Sequence, residues 1–557
     1  MKSPVLFATA VFVLAGTLAW ILPLGRLGAF SALPWQMLLG LGAALAALVL
    51  IGKTREMKIP RWVLPALAIL VFVALFTLSL LKHYAFYSTG YDLGIYDQTL
   101  AGYLHGELYS SVMGFPLIGM HVEPILFFLL PFYALFKGPV ILLLFQALAL
   151  AGSVFPLHRF ARKWLGEVES LLLVLAWLLF PTLLYVALFD FHPAALAIPA
   201  VMYAAVFLQE KKMGKMFVML LLATLCKEVY SFLFITFGAY VAVARRKWLL
   251  GGGMALFGAL WFAVAFYGVS ASVFPEGPGL FFGANPYFGN TVGESVLTLL
   301  TRPFYTLAFL LQPEKLLYLV LMLLPVGGLA LLAPEMLWLG ASELGLVLLY
   351  SPISVQQVLY HHSILVAAFL ALAAVKGVHR LGAWLKGKHL AVAAFVFVMA
   401  LSSQLVYGPS AILYCGDSFN PFSQHAKDGR AVLEALPPDA EVMAPNWALP
   451  HVSARKAVYV PNGPLGSTGL GFFNATLPEY VLLDNGDAWE DPKRNSGQLT
   501  RREMLLVLND RRYGPVRLQG SWVLLKKGAP HDAGLESKLS TARGCPAVRF
   551  PGQIQSR

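Results

Sequence analysis

The chain has 557 residues, of which 58% are hydrophobic and 13% charged, and its mean hydropathy is +0.69. Soluble domains carry about 25% charged residues, so a wholly soluble protein is excluded and an integral membrane protein is indicated. The formal net charge of +12 does not point to nucleic acid: +9 falls in residues 1–407 and +3 in residues 408–557, mostly in short loops between apolar runs, where basic residues mark the cytoplasmic side and meet anionic lipid head groups.

In chain order, apolar runs at about 4–24 and 30–51 predict an N-terminal transmembrane hairpin within 1–61, the first run being a retained span rather than a cleaved signal peptide. Basic loops at Lys53-Arg55-Lys58-Arg61, Arg159-Arg162-Lys163, Lys211-Lys212-Lys215, Arg245-Arg246-Lys247 and Lys376-Arg380-Lys386-Lys388 are placed inside. A span at 62–82 then leads outward into the loop 83–122, which opens with YDLGIYDQ at 91–98. The run 123–136 is short, contains Pro131 and reads as a juxtamembrane or re-entrant helix. Spans follow at 139–158, 169–189 and 192–208, the last two meeting at the outer tip FDFHP, 189–193. Two half-length helices, 216–226 and 229–244, meet at Lys227-Glu228 on the floor of an outward cavity, since irregular backbone at that depth is tolerated only where it lines a cavity or is buried in protein. A span at 248–273, a loop at 274–313 rich in Gly, Pro and Asn, and spans near 314–333, 336–350, 361–376 and 389–407 complete about 13 spans, counting the two half-length ones.

From residue 408 the composition turns to that of a soluble α/β module, 408–557, placed outside. DGRAVLEAL reads as a helix, EVMAP, KAVYVP and PEYVLLD as strands, TRREMLLVLND as a helix with Thr500 its N-cap candidate, and VRLQGSWVLLKK as a hairpin turning at Gln519-Gly520. Cys415 and Cys545 bracket this module and are candidates for a disulfide in an oxidising compartment, with two free thiols as the alternative.

Ionisable groups at membrane depth are functional candidates by default. On the outer side these are Asp92, Asp97, His121, Glu123, Asp190, His192, Lys227, Glu228, His361 and His362. A carboxylate serves as a base toward a hydroxyl or as a ligand to a hard cation, and Lys or His neutralises a phosphate leaving group. The set suits transfer from a lipid-phosphate donor to an external acceptor. It equally suits a proton-coupled transporter. A metal site is the weaker reading, since no compact ligand spacing is present. For Asp97, which opens DQTLAGYLHG, the structural alternative is a helix N-cap.

The landmarks YDLGIYDQTL, GMHVEPIL, FQALALAGSVFPLHRFAR, FDFHPAALAIP, LLATLCKEVY, LLAPE, YHHSILVAAF and APNWALPHVSAR resemble a family of prokaryotic polytopic membrane proteins known as domain of unknown function 2079, from residue 62 onward. That family is similar to the GT-C glycosyltransferases. The resemblance implies a mainly α fold: a polytopic helical membrane bundle, residues 62–407, carrying a C-terminal extracytoplasmic α/β domain. It implies a plasma-membrane enzyme taking sugar from a polyprenyl-phosphate donor to an extracytoplasmic acceptor. Asp92 is then the base, with Asp97 supporting. His121, Glu123, Asp190, His192, Lys227, Glu228, His361 and His362 bind substrate, and Asp92 is the ligand for a divalent cation, Mg or Mn, if one is used. The adjacent Asp-Glu pair usual in GT-C enzymes is absent, which weakens the metal role more than the base role. Two other readings use the same residues: a membrane transporter or lipid-handling protein, and a non-catalytic envelope assembly protein.

Overall fold

The computed structural model describes residues 58–275, 287–350, 358, 360–409, 416–461, 463, 470–485 and 501–539. The expected spans at 4–24 and 30–51, Thr500 and both Cys415 and Cys545 lie outside the described residues; Cys226 is a buried free thiol.

Five described helices are long and apolar enough to cross a membrane: Val63–Tyr84, Val140–Ala161, Trp248–Val273, His361–Trp384 and His389–Tyr407. Two bent pairs, Glu167–Leu178 with Pro181–Leu188 (49°) and Pro303–Leu310 with Pro313–Val326 (61°), raise the number to seven if each is one span. Among the described residues several expected spans are shorter or bent because proline and glycine divide their apolar runs. Pro181 and Pro313 each start a new helix at its first turn, where the missing N–H costs nothing. Gly327 and Gly328 adopt left-handed backbone after Val326 and end the run 314–333 early. Pro193–Gln209, Met213–Thr224 and Glu228–Ala244 are apolar but short. The stretch 274–313, expected as a loop, contains two helices, Val292–Thr301 and Pro303–Leu310. The first is capped by the Thr291 hydroxyl, which accepts from the Glu294 amide.

The C-terminal part builds a five-stranded sheet in the order Val458–Tyr459, Val442–Met443, Tyr480–Asp484, Trp522–Lys527, Tyr513–Gln519. The first three strands are parallel and the last two join antiparallel. The hairpin turns where expected. Gly520 takes φ +58°, and a Cβ there would run into the Asp428 carboxylate. Side chains alternate across the sheet. Val442, Leu482, Trp522 and Leu524 share one core with Phe86, Leu93, Leu100 and Phe191 of the membrane part. Met443, Val481, Leu483 and Val523 form a second core with Met504 and Val507 of the helix Arg501–Leu508. Both faces are covered, which is why PEYVLLD is continuously apolar rather than alternating.

Asp97 ties the two parts together. It is the third residue of the helix Ile95–Leu104, whose N-cap position is Gly94, so the N-cap reading does not hold. A five-residue π-turn, Gly90–Gly94, precedes the helix and already engages its first amides. The Asp97 carboxylate accepts from Tyr133 Oη (2.8 Å) and Ser453 Oγ (2.6 Å). Burial pushes its pKa up from 3.8 to about 6 against those two hydroxyls. Because the folded value lies above the unfolded one, folding favours the protonated form. That contribution is complete below about pH 4 and is lost as pH rises through about 6. Asp97→Asn should therefore flatten the melting-temperature profile between these limits, and an unchanged profile would contradict the assignment. Ser453→Ala, which strips a buried oxygen of its donor, should destabilise by about 1–3 kcal/mol, read by thermal melts of the full chain.

Candidate active site

The turn FDFHP is built by one glutamine. The helix Pro181–Leu188 ends at Phe189, and Pro193 opens the helix Pro193–Gln209. A residue before proline is driven to extended backbone, and His192 sits at φ −139°, ψ 134°. Buried Gln146, from the neighbouring span, donates to the carbonyls of Val186 (3.0 Å) and Asp190 (3.1 Å) and accepts from the His192 amide (2.9 Å). The His192 ring is thereby fixed. Its Nε2 lies 3.0 Å from Asp92 Oδ1, and its Nδ1 3.3 Å from the Asp190 carbonyl. Its faces are covered by His361, stacked at 3.5 Å, and by Phe189 at 5.7 Å. His362 lies beyond His361, at 4.0 Å between rings.

The two nearby aspartates are in opposite conditions. Asp190 is 1% exposed and fully engaged: it accepts from the Thr89 amide (2.8 Å), the Thr89 hydroxyl (2.6 Å) and Lys82 Nζ (3.2 Å). Asp92 keeps 26% side-chain exposure, and its Oδ2 has one long contact, to Thr89 Oγ1 at 3.5 Å. Asp190 therefore reads as scaffold and Asp92 as the acid open to a ligand.

A second group lies where the half-length helices break. Met213–Thr224 stops, Lys227 is extended (φ −166°, ψ 139°), and a 3-10 turn, Glu228–Ser231, leads into Phe232–Ala244. The extended strand around His121 zips onto this break. The Glu228 carboxylate lies 3.2 Å from His121 Nδ1 and accepts from the Val122 amide at 3.0 Å, while the Ile125 amide donates to the Leu225 carbonyl. Burial, with Lys227 adding to it, holds the His121 imidazole below its usual range, so its link to Glu228 is a hydrogen bond from a neutral ring. Burial also pushes Glu123 up to about 8, opposed by Lys227. Tyr96 joins the two groups: its hydroxyl donates to Glu123 Oε1 (3.2 Å), and its ring lies edge-on to His192 at 6.0 Å.

Lys227 acts electrostatically on Glu123, Glu228, Glu343, His121, His361 and His362, yet among the described residues its ammonium has no salt-bridge partner. Glu123 Oε2, Glu343 Oε1 and His361 Nδ1 are buried without a hydrogen-bond partner. A half-buried cation beside unsatisfied buried acceptors is an arrangement that a polar ligand completes.

Residues 82–522 match the model of the DUF2079 family of predicted membrane proteins. The chain belongs to that family. No curated protein matches it. Its fold is that of GT-C glycosyltransferases. ArnT from Cupriavidus metallidurans bound to undecaprenyl phosphate superposes with a TM-score of 0.51 at 14% identity, over 84% of this chain and 99% of that one. The oligosaccharyltransferase of Archaeoglobus fulgidus is more distant, at a TM-score of 0.44 and 12% identity, over 82% and 73% of the two chains.

The structure brings Asp92, His192, His361 and His362 into one group and His121, Glu123, Glu228 and Lys227 into the adjoining one. Asp190 stands behind the first, and the Asp97 carboxylate is engaged elsewhere, with Tyr133 and Ser453. A divalent cation is not well served: among the described residues no three His, Cys, Asp or Glu converge on one point, and Asp92 has His192 alone as a second ligand. Sequence reasoning passed over Lys82, Thr89, Tyr96, Gln146 and Glu343. Gln146 and Glu343 had a signal, each being a lone polar residue inside an apolar run; Thr89 had none.

Lys82→Met should strand the buried Asp190 carboxylate and destabilise the DUF2079 protein by about 3–5 kcal/mol. Adding Asp190→Asn should recover much of the loss, because a neutral amide needs no counter-ion. Melting of the two single variants and the double variant checks this, and strictly additive losses would remove the pair from the account.

Proposed function

We propose that this protein is a GT-C-type glycosyltransferase, moving a sugar from a polyprenyl-phosphate donor to a hydroxyl-bearing acceptor on the extracytoplasmic side. The observation that carries the proposal is the contrast between Asp92, held by His192 yet open, and Lys227 in the adjoining group, a cation without an ion partner among the described residues. Asp92 accepts the proton of the acceptor hydroxyl as its oxygen attacks the anomeric carbon. The bond from that carbon to the phosphate oxygen breaks, and polyprenyl phosphate leaves with its charge met by Lys227 and by hydrogen bonds from the histidines. His192 fixes the Asp92 carboxylate for that attack, and Glu123 and Glu343 set the field around Lys227. The undecaprenyl phosphate bound to ArnT supports the class of carrier.

Orientation follows from charge. Arg159, Lys212 and Glu210 pair at the end of the bundle away from Asp92, with Arg162 and Lys163 beside them, and such clusters mark the cytoplasmic side. The Asp92 end and the soluble domain then face outward from the plasma membrane.

Asp92→Asn should lower transfer from lipid-linked sugar by about 10²–10⁴-fold, with expression and membrane insertion intact. Lys227→Met should weaken use of the donor while leaving acceptor binding in place. Both are read in membranes containing the full chain and a labelled lipid-linked sugar pool. An Asp92→Asn protein as active as the parent would end the assignment.

A further inference from the structure

The turn that carries Asp92 is not held by the membrane part alone. It is a five-residue π-turn, Gly90–Gly94, and its first amides need acceptors from outside it. Asn446 of the soluble domain supplies them. Its side-chain oxygen accepts from the Gly90 amide (2.7 Å) and the Tyr91 amide (3.1 Å), and its carbonyl also accepts from Gly90 (2.7 Å). Three residues on, Leu449 presses against the turn. A Cβ at Gly90 would lie 2.8 Å from Leu449 Cβ, and one at Gly94 2.5 Å from Leu449 Cδ2. Neither glycine has positive φ, so close approach rather than backbone conformation requires them. The same segment fastens both flanks. The His451 ring stacks on His83 at 4.2 Å, on one side, and Ser453 bonds Asp97 on the other. The Tyr91 hydroxyl donates to the Gly463 carbonyl at 3.3 Å.

His192, by contrast, is held by Gln146 and Pro193 from the membrane part. The 3.0 Å contact between Asp92 and His192 therefore joins a side chain fixed by the soluble domain to one fixed by the bundle. We infer that the soluble domain is a constituent of the active site, with Asn446 acting as a positioning residue that sets the place of Asp92 against His192 through the Gly90 and Tyr91 amides. The inference rests on the reading of Asp92 as the base. It separates two functions: Lys227 sits in the break before the turn Glu228–Ser231, away from the Asn446 contacts, so loosening Asn446 moves the base and leaves the cation of the donor site in place. A displacement of about 1 Å at a reacting group can lower a rate by about 10²-fold.

The test uses the full chain in lipid nanodiscs with a labelled polyprenyl-phosphate sugar as donor. Asn446→Ala removes the side-chain acceptor, Asn446→Asp retains it, and Lys456→Ala, which breaks only the exposed pair to Glu107 (2.6 Å), is the control. Amide hydrogen exchange is followed over residues 88–96, and kcat and donor KM are measured separately. The expected result is faster exchange at Tyr91 in Asn446→Ala, with a smaller change at Gly90, which keeps the residue-446 carbonyl as acceptor, a kcat reduced by 10- to 100-fold, and a donor KM within about two-fold of the parent. Asn446→Asp should restore exchange protection and most of kcat, and Lys456→Ala should match the parent throughout. If Asp92→Asn is inactive while Asn446→Ala keeps the parental kcat, the positioning role is overturned and the functional reading stands. If Asn446→Ala lowers kcat but leaves exchange at Gly90 and Tyr91 unchanged, the positioning role is also overturned. If Asp92→Asn is fully active, the functional reading fails and the inference falls with it.

Discussion

The buried Asp190 carboxylate is the constraint from which the Asp92 end of the helical bundle is organised. A carboxylate at 1% exposure needs its negative charge met and its oxygens bonded. The three donors it receives, Lys82 Nζ and the amide and hydroxyl of Thr89, come from the end of one span and from the start of the outer loop. Asp190 itself belongs to a turn between two other helices, fixed by Gln146 from a further one. Through its carboxylate and its carbonyl, Asp190 thus draws four segments to a point, and the loop that leaves Thr89 must pass His192. The site geometry is a consequence of how that charge is neutralised.

The same bookkeeping sorts the acids by role. Asp190 and Asp97 are buried and satisfied, so each is a fastener. Glu228 is buried and shared between the His121 ring and the Val122 amide, and it shapes the break before the helix Phe232–Ala244. Glu123 and Glu343 are buried with one oxygen unbonded, which leaves a hydrogen-bonding position open to a ligand. Asp92 alone among these acids keeps substantial exposure and one under-used oxygen. A base must be reachable as well as held, and Asp92 meets both conditions.

Much of this was legible in the sequence because it follows from local rules. The break at Lys227-Glu228, the tip at FDFHP, the strands and the Gln519-Gly520 turn are written in charges within apolar runs, in prolines and in β-branched clusters. The acids and histidines were visible as misplaced polarity. What was not legible is partnership over long sequence distance. Asp97 and Asp92 look alike in YDLGIYDQ, and Ser453, some 350 positions away, is what makes one of them structural. The glycines of the π-turn suggest flexibility until Leu449 is placed against them. Glu343 is masked in the sequence by the apolar flanks of its helix, Ala341–Leu349, which read as a plain span, and the helices at 292–310 are masked by the Gly- and Pro-rich stretch before them.

The C-terminal α/β part is explained by the loop it covers. Irregular backbone near a membrane bundle has to find hydrogen-bond partners other than lipid, and the loop that carries Asp92 is irregular. Each polar side chain of YDLGIYDQ looks to another segment: Tyr91 to Gly463, Asp92 to His192, Tyr96 to Glu123, Asp97 to Tyr133 and Ser453. Gln98 completes the pattern, holding the hydroxyls of Ser110 and Ser111 and donating to the Arg455 carbonyl. Ser111 then bonds both the amide and the carbonyl of Val458, on the outer strand of the sheet, satisfying an edge that would otherwise be open. Loop and sheet therefore finish one another: the loop caps the sheet edge, and the sheet supplies the acceptors that let the loop hold an exposed carboxylate still.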